Sequence, residues 1–220
     1  MLMQIDVITI FPEMFTTWLT TSIIGRAQRK KLVKIKVSNL RDWALDKHKS
    51  VDDKPFGGGP GMVMKVDVMD RALKKFKTEY KILLTPQGKT FNQKIAKRLS
   101  KLNNLILICG HYEGFDERIR SLVDEEISIG DYVLTGGEMP AMVITDAVTR
   151  LIPGVIEPES LTEESFNQNL LESPQYTRPE VYKKMAVPKI LLSGDHKKIK
   201  EWKEKEAVKR TKQRRADLLK

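Results

Sequence analysis

The stretch Glu125-Glu126-Ile127-Ser128-Ile129-Gly130-Asp131-Tyr132-Val133-Leu134-Thr135-Gly136-Gly137-Glu138-Met139-Pro140-Ala141 joins an apolar-alternating run to a turn with paired glycines. The run reads as a strand from Ile127 to Leu134, and the residues from Glu138 to about Leu151 read as a helix. Two adjacent glycines leave no side chain between the backbone and whatever lies against it, so a ligand can come close. The free N–H and C=O groups of such a turn suit a flat, polar heterocycle.

Upstream of this block, strands alternate with helices. Met3 to Ile10 alternates apolar and polar residues and predicts a first strand. Phe11-Pro12-Glu13 predicts a helix start, with Pro in the first turn and Glu at the positive end of the dipole. Leu32 to Leu40 predicts a second strand, followed by a polar loop from Arg41 to Gly61. Val66 to Phe76 and Asn92 to Leu99 predict helices, the latter basic and amphipathic. Lys81 to Leu84 and Leu105 to Cys109 are buried-type strands, each followed by a loop. This alternation predicts an α/β domain with a mainly parallel sheet over residues 1–156. The chain then becomes rich in Pro, Glu, Ser and Asn and loses periodicity, which marks residues 157–174 as a flexible linker. Residues 175–220 predict a small, basic, helical domain. In it Ser193-Gly194-Asp195 precedes Ile199, Trp202 and Val208, as a capped helix with one apolar stripe would. Trp202 reads as core rather than as a stacking platform.

The chain has 220 residues, 40% of them hydrophobic, enough for one large domain or two smaller ones. The formal charge of +10 is unevenly placed. Lys183 to Lys220 holds 14 Lys+Arg against 5 Asp+Glu, a net +9, so the first 182 residues carry only +1. A localised basic segment is the footprint of a polyanion partner, although a solvated Lys-rich helix has the same composition. The single cysteine, Cys109, excludes an intrachain disulfide framework and fits a reducing compartment. No apolar run approaches the roughly 18 residues of a membrane span. The first residues lack a basic start and carry Asp6 and Glu13, unlike a signal peptide. The expectation is a cytoplasmic protein without membrane association.

Ligands of open α/β sheets bind beyond the carboxyl ends of the strands. Three glycine-bearing loops follow strands: Thr85-Pro86-Gln87-Gly88, Gly110-His111-Tyr112-Glu113-Gly114 and Leu134-Thr135-Gly136-Gly137. Together they predict a pocket. No Gly-Lys-Ser/Thr follows the glycines and no G-x-G-x-x-G spacing occurs, so neither a P-loop nor an ordinary dinucleotide site is supported.

Further ordered motifs run along nearly the whole chain. They include Ile10 to Phe15, Asp46-Lys47-His48-Lys49 with Val51-Asp52-Asp53, Gly57 to Met62, and Asp116-Glu117-Arg118. Tyr176-Thr177-Arg178-Pro179-Glu180-Val181 and Leu191 to Ile199 follow. With the three loops, this set resembles the bacterial tRNA (guanine-N1)-methyltransferases of the SPOUT class. The resemblance implies a deep trefoil knot, a feature otherwise nearly absent from proteins, and S-adenosyl-L-methionine as cofactor. By it, Pro86, Gly88, Gly110, Tyr112, Glu113, Ile129, Gly130, Tyr132, Leu134, Gly136, Gly137 and Pro140 line the cofactor site. Tyr112 and Tyr132 fit core packing equally well.

The implied reaction is methyl transfer to N1 of the guanine just 3′ of the tRNA anticodon, which would suppress frameshifting. N1 bears a proton at neutral pH, so a general base is required. Charge develops at O6, so a positive donor helps. The acceptor is a ring nitrogen, so no nucleophilic cysteine is needed, and Cys109 reads as a small core residue. The family places an Asp before a Ser-Phe pair and an Arg near the end of the preceding helix. Glu164 and Arg150 stand there in this sequence, with Glu for Asp as a departure and Glu163 adjacent. The bland readings are a solvated acidic linker and a helix C-cap. The resemblance also implies a homodimer with its active site at the subunit interface, and a dependence on magnesium, for which no dense Asp/His cluster stands out. Candidate contacts to the anticodon stem-loop are Arg26, His48, Lys49 and Asp52, and then Tyr176, Arg178 and His196. The alternatives are a knotted methyltransferase acting on ribosomal RNA and a non-catalytic RNA-binding protein.

Overall fold

Continuous apolar runs such as Ile82–Leu84 and Leu105–Cys109 require cover on both sheet faces, and the fold supplies it. The computed structural model describes residues 2–76, 80–162 and 164–219. The chain divides into two compact units, Met1–Ile156 and Glu157–Lys220.

The first unit runs β1 (Met3–Thr9), α1 (Thr16–Thr20), α2 (Ser22–Arg29), β2 (Val33–Asn39), β3 (Asp52–Asp53), β4 (Val63–Met64) and α3 (Val66–Leu73). It continues with β5 (Tyr80–Thr90), α4 (Gln93–Leu99), β6 (Asn104–Cys109), β7 (Glu125–Ser128) and α5 (Glu138–Thr149). Five strands form a parallel sheet in the order β2-β1-β6-β5-β7, while β3 and β4 pair antiparallel outside it. The pleat sends alternate side chains to opposite faces. Ile5, Val7, Ile82, Leu105 and Leu107 meet Ile24 of α2, Ile95 and Leu99 of α4, and Ile144 and Val148 of α5. Ile8, Leu83, Ile106 and Ile108 meet Val68, Met69 and Leu73 of α3 on the other side. Each fully buried side chain of this kind contributes about 1.5–3 kcal/mol, so β6 is anchored twice.

Local chemistry sets the differences from the sequence reading. The expected helix start at Phe11 is a 3-10 turn, Pro12–Phe15, before α1 and α2. The helix expected to reach Phe76 stops at Leu73, with 3-10-type bonds from Lys75 N to Ala72 O and Phe76 N to Leu73 O. The expected loop Thr85–Gly88 is a bulge inside β5, since Leu84 and Lys89 both face Ile127. A bulge is one of the few places where a strand tolerates Pro. Arg120 ties it down, donating to Gln87 of the bulge and to Glu126 of β7. The strand expected to reach Leu134 ends at Ser128. Ser128 Oγ donates to Gly130 O at 3.0 Å and accepts from Gly130 N at 3.2 Å, while Gly130 turns the chain at φ +149°.

The second unit contains α6 (Pro158–Thr162), a 3-10 turn at Asn167–Asn169, a hairpin of β8 (Val181–Tyr182) and β9 (Met185–Ala186), and α7 (His196–Arg214). The hairpin departs from the all-helical expectation. Asp195 caps α7 by accepting from Lys198 N at 3.1 Å. Parts of segment 157–174 dock on the end of this helix: Leu171 N donates to Thr211 Oγ1 at 2.9 Å, and the Arg215 guanidinium lies 5.8 Å from the Phe166 ring centre. Trp202 is half-buried. Among the described residues, no helix is long and apolar enough to cross a membrane.

Candidate active site: a cleft walled by glycine loops

The end of β6, the bulge of β5 and the end of β7 lie side by side, and they and the loops beyond β6 and β7 enclose a cleft of about 280 Å³. Its lining draws on Leu84–Pro86 of the β5 bulge, 110–115 after β6, and 127–130 with 132–137 from the end of β7 onward, with Pro140 from the first turn of α5. Eleven of the twelve residues expected at a cofactor site lie in this lining: Pro86, Gly110, Tyr112, Glu113, Ile129, Gly130, Tyr132, Leu134, Gly136, Gly137 and Pro140. Gly88 does not. It sits in the bulge, where a Cβ would fall 2.5 Å from the Glu126 carbonyl carbon, so close strand contact by itself requires glycine there.

The cleft is built largely from backbone. Gly137 N donates to Gly110 O at 2.8 Å, joining the loops after β7 and β6. A Cβ on Gly137 would lie 2.6 Å from Cys109 Cα and 2.7 Å from Gly110 N. Real Cβ atoms do not approach backbone so closely, so glycine here is a condition of the loops meeting. Tyr112 and Tyr132 are 40% and 54% exposed, so both rings stand at the cleft wall and not in the core. Tyr112 adopts φ +60° and accepts a long hydrogen bond, 3.4 Å, from Arg41 Nη2. Arg41 Nη1 also donates to Lys49 O at 3.1 Å, which links the 46–50 loop to the cleft wall. That loop is organised by Asp46, whose carboxylate accepts from Ser50 Oγ at 2.8 Å and from the His48 and Ser50 amides. The Ser50 hydroxyl, with these amides, holds the Asp46 carboxyl below the ordinary aspartate value.

Glu113 is placed by a second ladder of backbone bonds. Glu113 N donates to Met62 O at 3.0 Å, Met64 N to Gly114 O at 2.9 Å and Asp116 N to Met64 O at 3.0 Å. The segment around β4 thereby braces the loop that carries it. Beneath the cleft, Glu138 is only 2% exposed and accepts from Thr9 Oγ1 at 2.6 Å. Sequence reasoning took Glu138 only as a helix start, since nothing local signals a partner 129 residues away. His111, given no role from the sequence, lines the cleft between Phe11 and Tyr112, with ring centres 5.0 and 5.1 Å apart in edge contacts. The Cys109 thiol is buried, and burial with the nearby Glu138 charge pushes its pKa well up.

Among the described residues, no Lys or Arg occurs in the lining, whereas Glu113 does. The site therefore lacks the charges that hold phosphates. Its apolar walls, backbone polar groups and carboxylate fit a heterocyclic ligand with a cationic centre, such as an adenosyl sulfonium. Among the described residues, no group of three or more His, Cys, Asp or Glu is arranged to hold a metal ion.

The other expected residues lie elsewhere. Arg150 caps the C-terminus of α5, donating its N–H to Asp146 O, and is half-buried. Glu164, also half-buried, belongs to the second unit, where its carbonyl accepts from Asn167 N at 3.2 Å. Arg150 does not line the cleft. Glu163 lies outside the described residues. Arg26, His48 and Lys49 are exposed in the first unit and Asp52 is half-buried, while Tyr176, Arg178 and His196 are exposed in the second.

An all-parallel α/β sheet with a backbone-walled cleft at its carboxyl edge places this chain in the class of open α/β proteins, whose ligand sites lie at that edge. Comparison with known proteins narrows this class. The family described as tRNA (Guanine-1)-methyltransferase TrmD matches residues 3–220, and the chain belongs to it. A tRNA (guanine-N(1)-)-methyltransferase of Dictyoglomus turgidum is 58% identical over 221 residues, covering 99% of this chain and 90% of that relative. One of Thermotoga maritima is 54% identical, with the same coverage of 99% and 90%. One of Endomicrobium trichonymphae is 51% identical over 232 residues, covering 99% of this chain and all of the relative.

Proposed function

We propose that this protein transfers a methyl group from S-adenosyl-L-methionine to N1 of the guanine immediately 3′ of the tRNA anticodon. The observation that carries the reading is the cleft itself. Its lining joins three glycine loops, excludes Lys and Arg, and belongs to a chain similar to tRNA (guanine-N(1)-)-methyltransferases along nearly its full length. The cofactor, once held there, supplies an electrophilic methyl group. Gly110, Gly136 and Gly137 expose backbone to the adenine and ribose, Ile129 and Leu134 wall the ring, and Glu113 offers a carboxylate to the cationic part.

The remaining chemistry belongs to residues outside the cleft. Glu164 takes the N1 proton of guanine, and Arg150 offsets the charge that develops at O6. The extra methylene of Glu relative to Asp sets its backbone slightly further from the base. In this reading two chains form a homodimer, with the cofactor on one protomer and Glu164 supplied by the other. The glycine loops form a deep trefoil knot, which fixes them against one another. Arg26, His48, Lys49, Asp52, Tyr176, Arg178 and His196 contact the anticodon stem-loop, and the basic residues of α7 clamp phosphates. The protein works in the cytoplasm on its tRNA, and the product's blocked Watson–Crick edge suppresses frameshifting.

Two tRNA transcripts that differ only in the base 3′ of the anticodon, guanine or adenine, test the substrate. Methyl transfer to the guanine transcript alone, with a reverse-transcription stop at that base, is expected. Equal transfer to both would refute the anticodon reading. Glu164→Gln is expected to lose at least a hundredfold in turnover while cofactor affinity stays near wild type. Unchanged turnover would remove Glu164 from the chemistry.

A further inference from the structure

The hairpin of β8 and β9 is short, open on both faces and closed by a strained turn. Val181 pairs with Ala186 and Tyr182 with Met185, and the ladder continues only through Val187 N to Glu180 O at 2.9 Å. A ladder this short is marginal by itself. Packing does not compensate, because paired residues share a face and both faces are open. Tyr182 and Met185 are 56% and 64% exposed on one face, and Val181 is 60% exposed on the other. The turn adds a further cost. Lys183 and Lys184 occupy its two central positions at φ +48° and +67°. A two-residue turn of this kind favours Asn-Gly, and side chains with a Cβ are strained there.

An uncovered apolar hairpin with a strained turn is kept in shape by what it binds. The charge around it selects the partner. Between Ser173 and Gly194 stand Arg178, Lys183, Lys184 and Lys189 against a single acidic residue, Glu180. Lys183 Nζ lies 5.4 Å from the centre of the Tyr182 ring, so a cation and an aromatic face are presented together. Two ammonium groups beside an exposed ring suit adjacent phosphates and an unstacked base. We infer that the tip Tyr182-Lys183-Lys184-Met185 is an RNA-docking element that grips the tRNA backbone outside the methylation site. This inference rests on the tRNA reading above and assigns it a contact surface.

The test uses the full-length protein with Lys183→Asn and Lys184→Gly together. The pair Asn-Gly relieves the turn, so the thermal midpoint should hold or rise while tRNA binding weakens. The affinity for a tRNA transcript should fall at least fivefold near physiological salt. The slope of log K against log[salt] should flatten by about 2, at roughly 0.9 per phosphate contact. Affinity for S-adenosylhomocysteine should not change, and Tyr182→Ala should weaken RNA binding without changing that slope. Unchanged tRNA affinity and slope in the Asn-Gly variant would overturn the proposal. So would loss of dimer mass on sedimentation with RNA binding intact, because the hairpin would then seat a second copy of the chain. A wild-type protein that neither binds nor methylates tRNA would overturn the functional reading itself, an outcome separable from a hairpin variant that matches an active wild type.

Discussion

Gly137→Ala isolates the physical basis of the cleft. Gly137 sits at φ −82° and ψ −3°, a conformation open to any residue, so the substitution carries no backbone strain of its own. Its cost comes from where the new methyl would go, 2.6 Å from Cys109 Cα and 2.7 Å from Gly110 N. Both neighbours are backbone at the end of β6, the strand buried on both faces, so neither can swing aside as a flexible side chain would. Overpacking of this kind costs about 1–3 kcal/mol. Separating the loops also removes the hydrogen bond from Gly137 N to Gly110 O, worth about 1 kcal/mol net. The sum is about 2–4 kcal/mol of folding stability, and the same displacement opens the cleft wall. Since about 1.4 kcal/mol is tenfold in affinity, S-adenosylhomocysteine should bind at least tenfold more weakly by calorimetry. Gly58→Ala is the control. That residue is at φ +80° with nothing within 4 Å of the added methyl, so it should cost about 1–2 kcal/mol of strain and leave affinity alone. A Gly137→Ala protein with wild-type affinity and unfolding midpoint would refute the claim that the loops touch through backbone.

Two other expectations concern titratable groups. Cys109 should resist iodoacetamide at pH 8 in the folded protein and react fully in denaturant, because burial and the Glu138 charge keep the thiol protonated. Alkylation of the native protein at the rate of a free thiol would contradict its placement. Asp46 should titrate below the ordinary aspartate value of about 3.9, because the Ser50 hydroxyl and neighbouring amides bind its charged form. A depressed carboxyl contributes order to the loop fully above that ordinary value and loses it as pH falls through the folded value. Carboxyl NMR should therefore show a low midpoint that rises in Ser50→Ala. An unmoved midpoint would mean that the hydroxyl does not hold the carboxylate.

What the sequence displayed and what it concealed follow from how local each cause is. β6 was legible because a strand buried on both faces has little room for polar residues, and an unbroken run such as Leu105–Cys109 must be covered from both sides. β1 was legible from its apolar–polar alternation, even though its Asp6 and Thr9 are buried. The same logic misled at Ile127–Leu134. Ile129, Tyr132, Val133 and Leu134 are apolar because they wall a cleft, and a cleft wall and a strand draw on the same residue types. Gly88 is ambiguous in the sequence for a related reason, since a glycine needed for contact between strands looks the same as one needed for a ligand. The hairpin was hidden because its turn carries two lysines in place of the Asn-Gly that would announce it. Glu138 was hidden because its partner, Thr9, comes from the other end of the first unit. These last two share a property. Each pays a local cost, a burial or a strained turn, that its own neighbourhood in sequence does not offset. In the buried case the compensation is inside the fold: a hydroxyl donor meets the carboxylate, and the sheet closes over both. In the exposed case no compensation is found in the hairpin's own contacts, while the charge around it has one sign. A sequence that conflicts with its local structure marks either a distant partner in the same chain or a partner outside it. Burial tells the two apart, and for Tyr182, Lys183 and Lys184 it points outward, toward a polyanion.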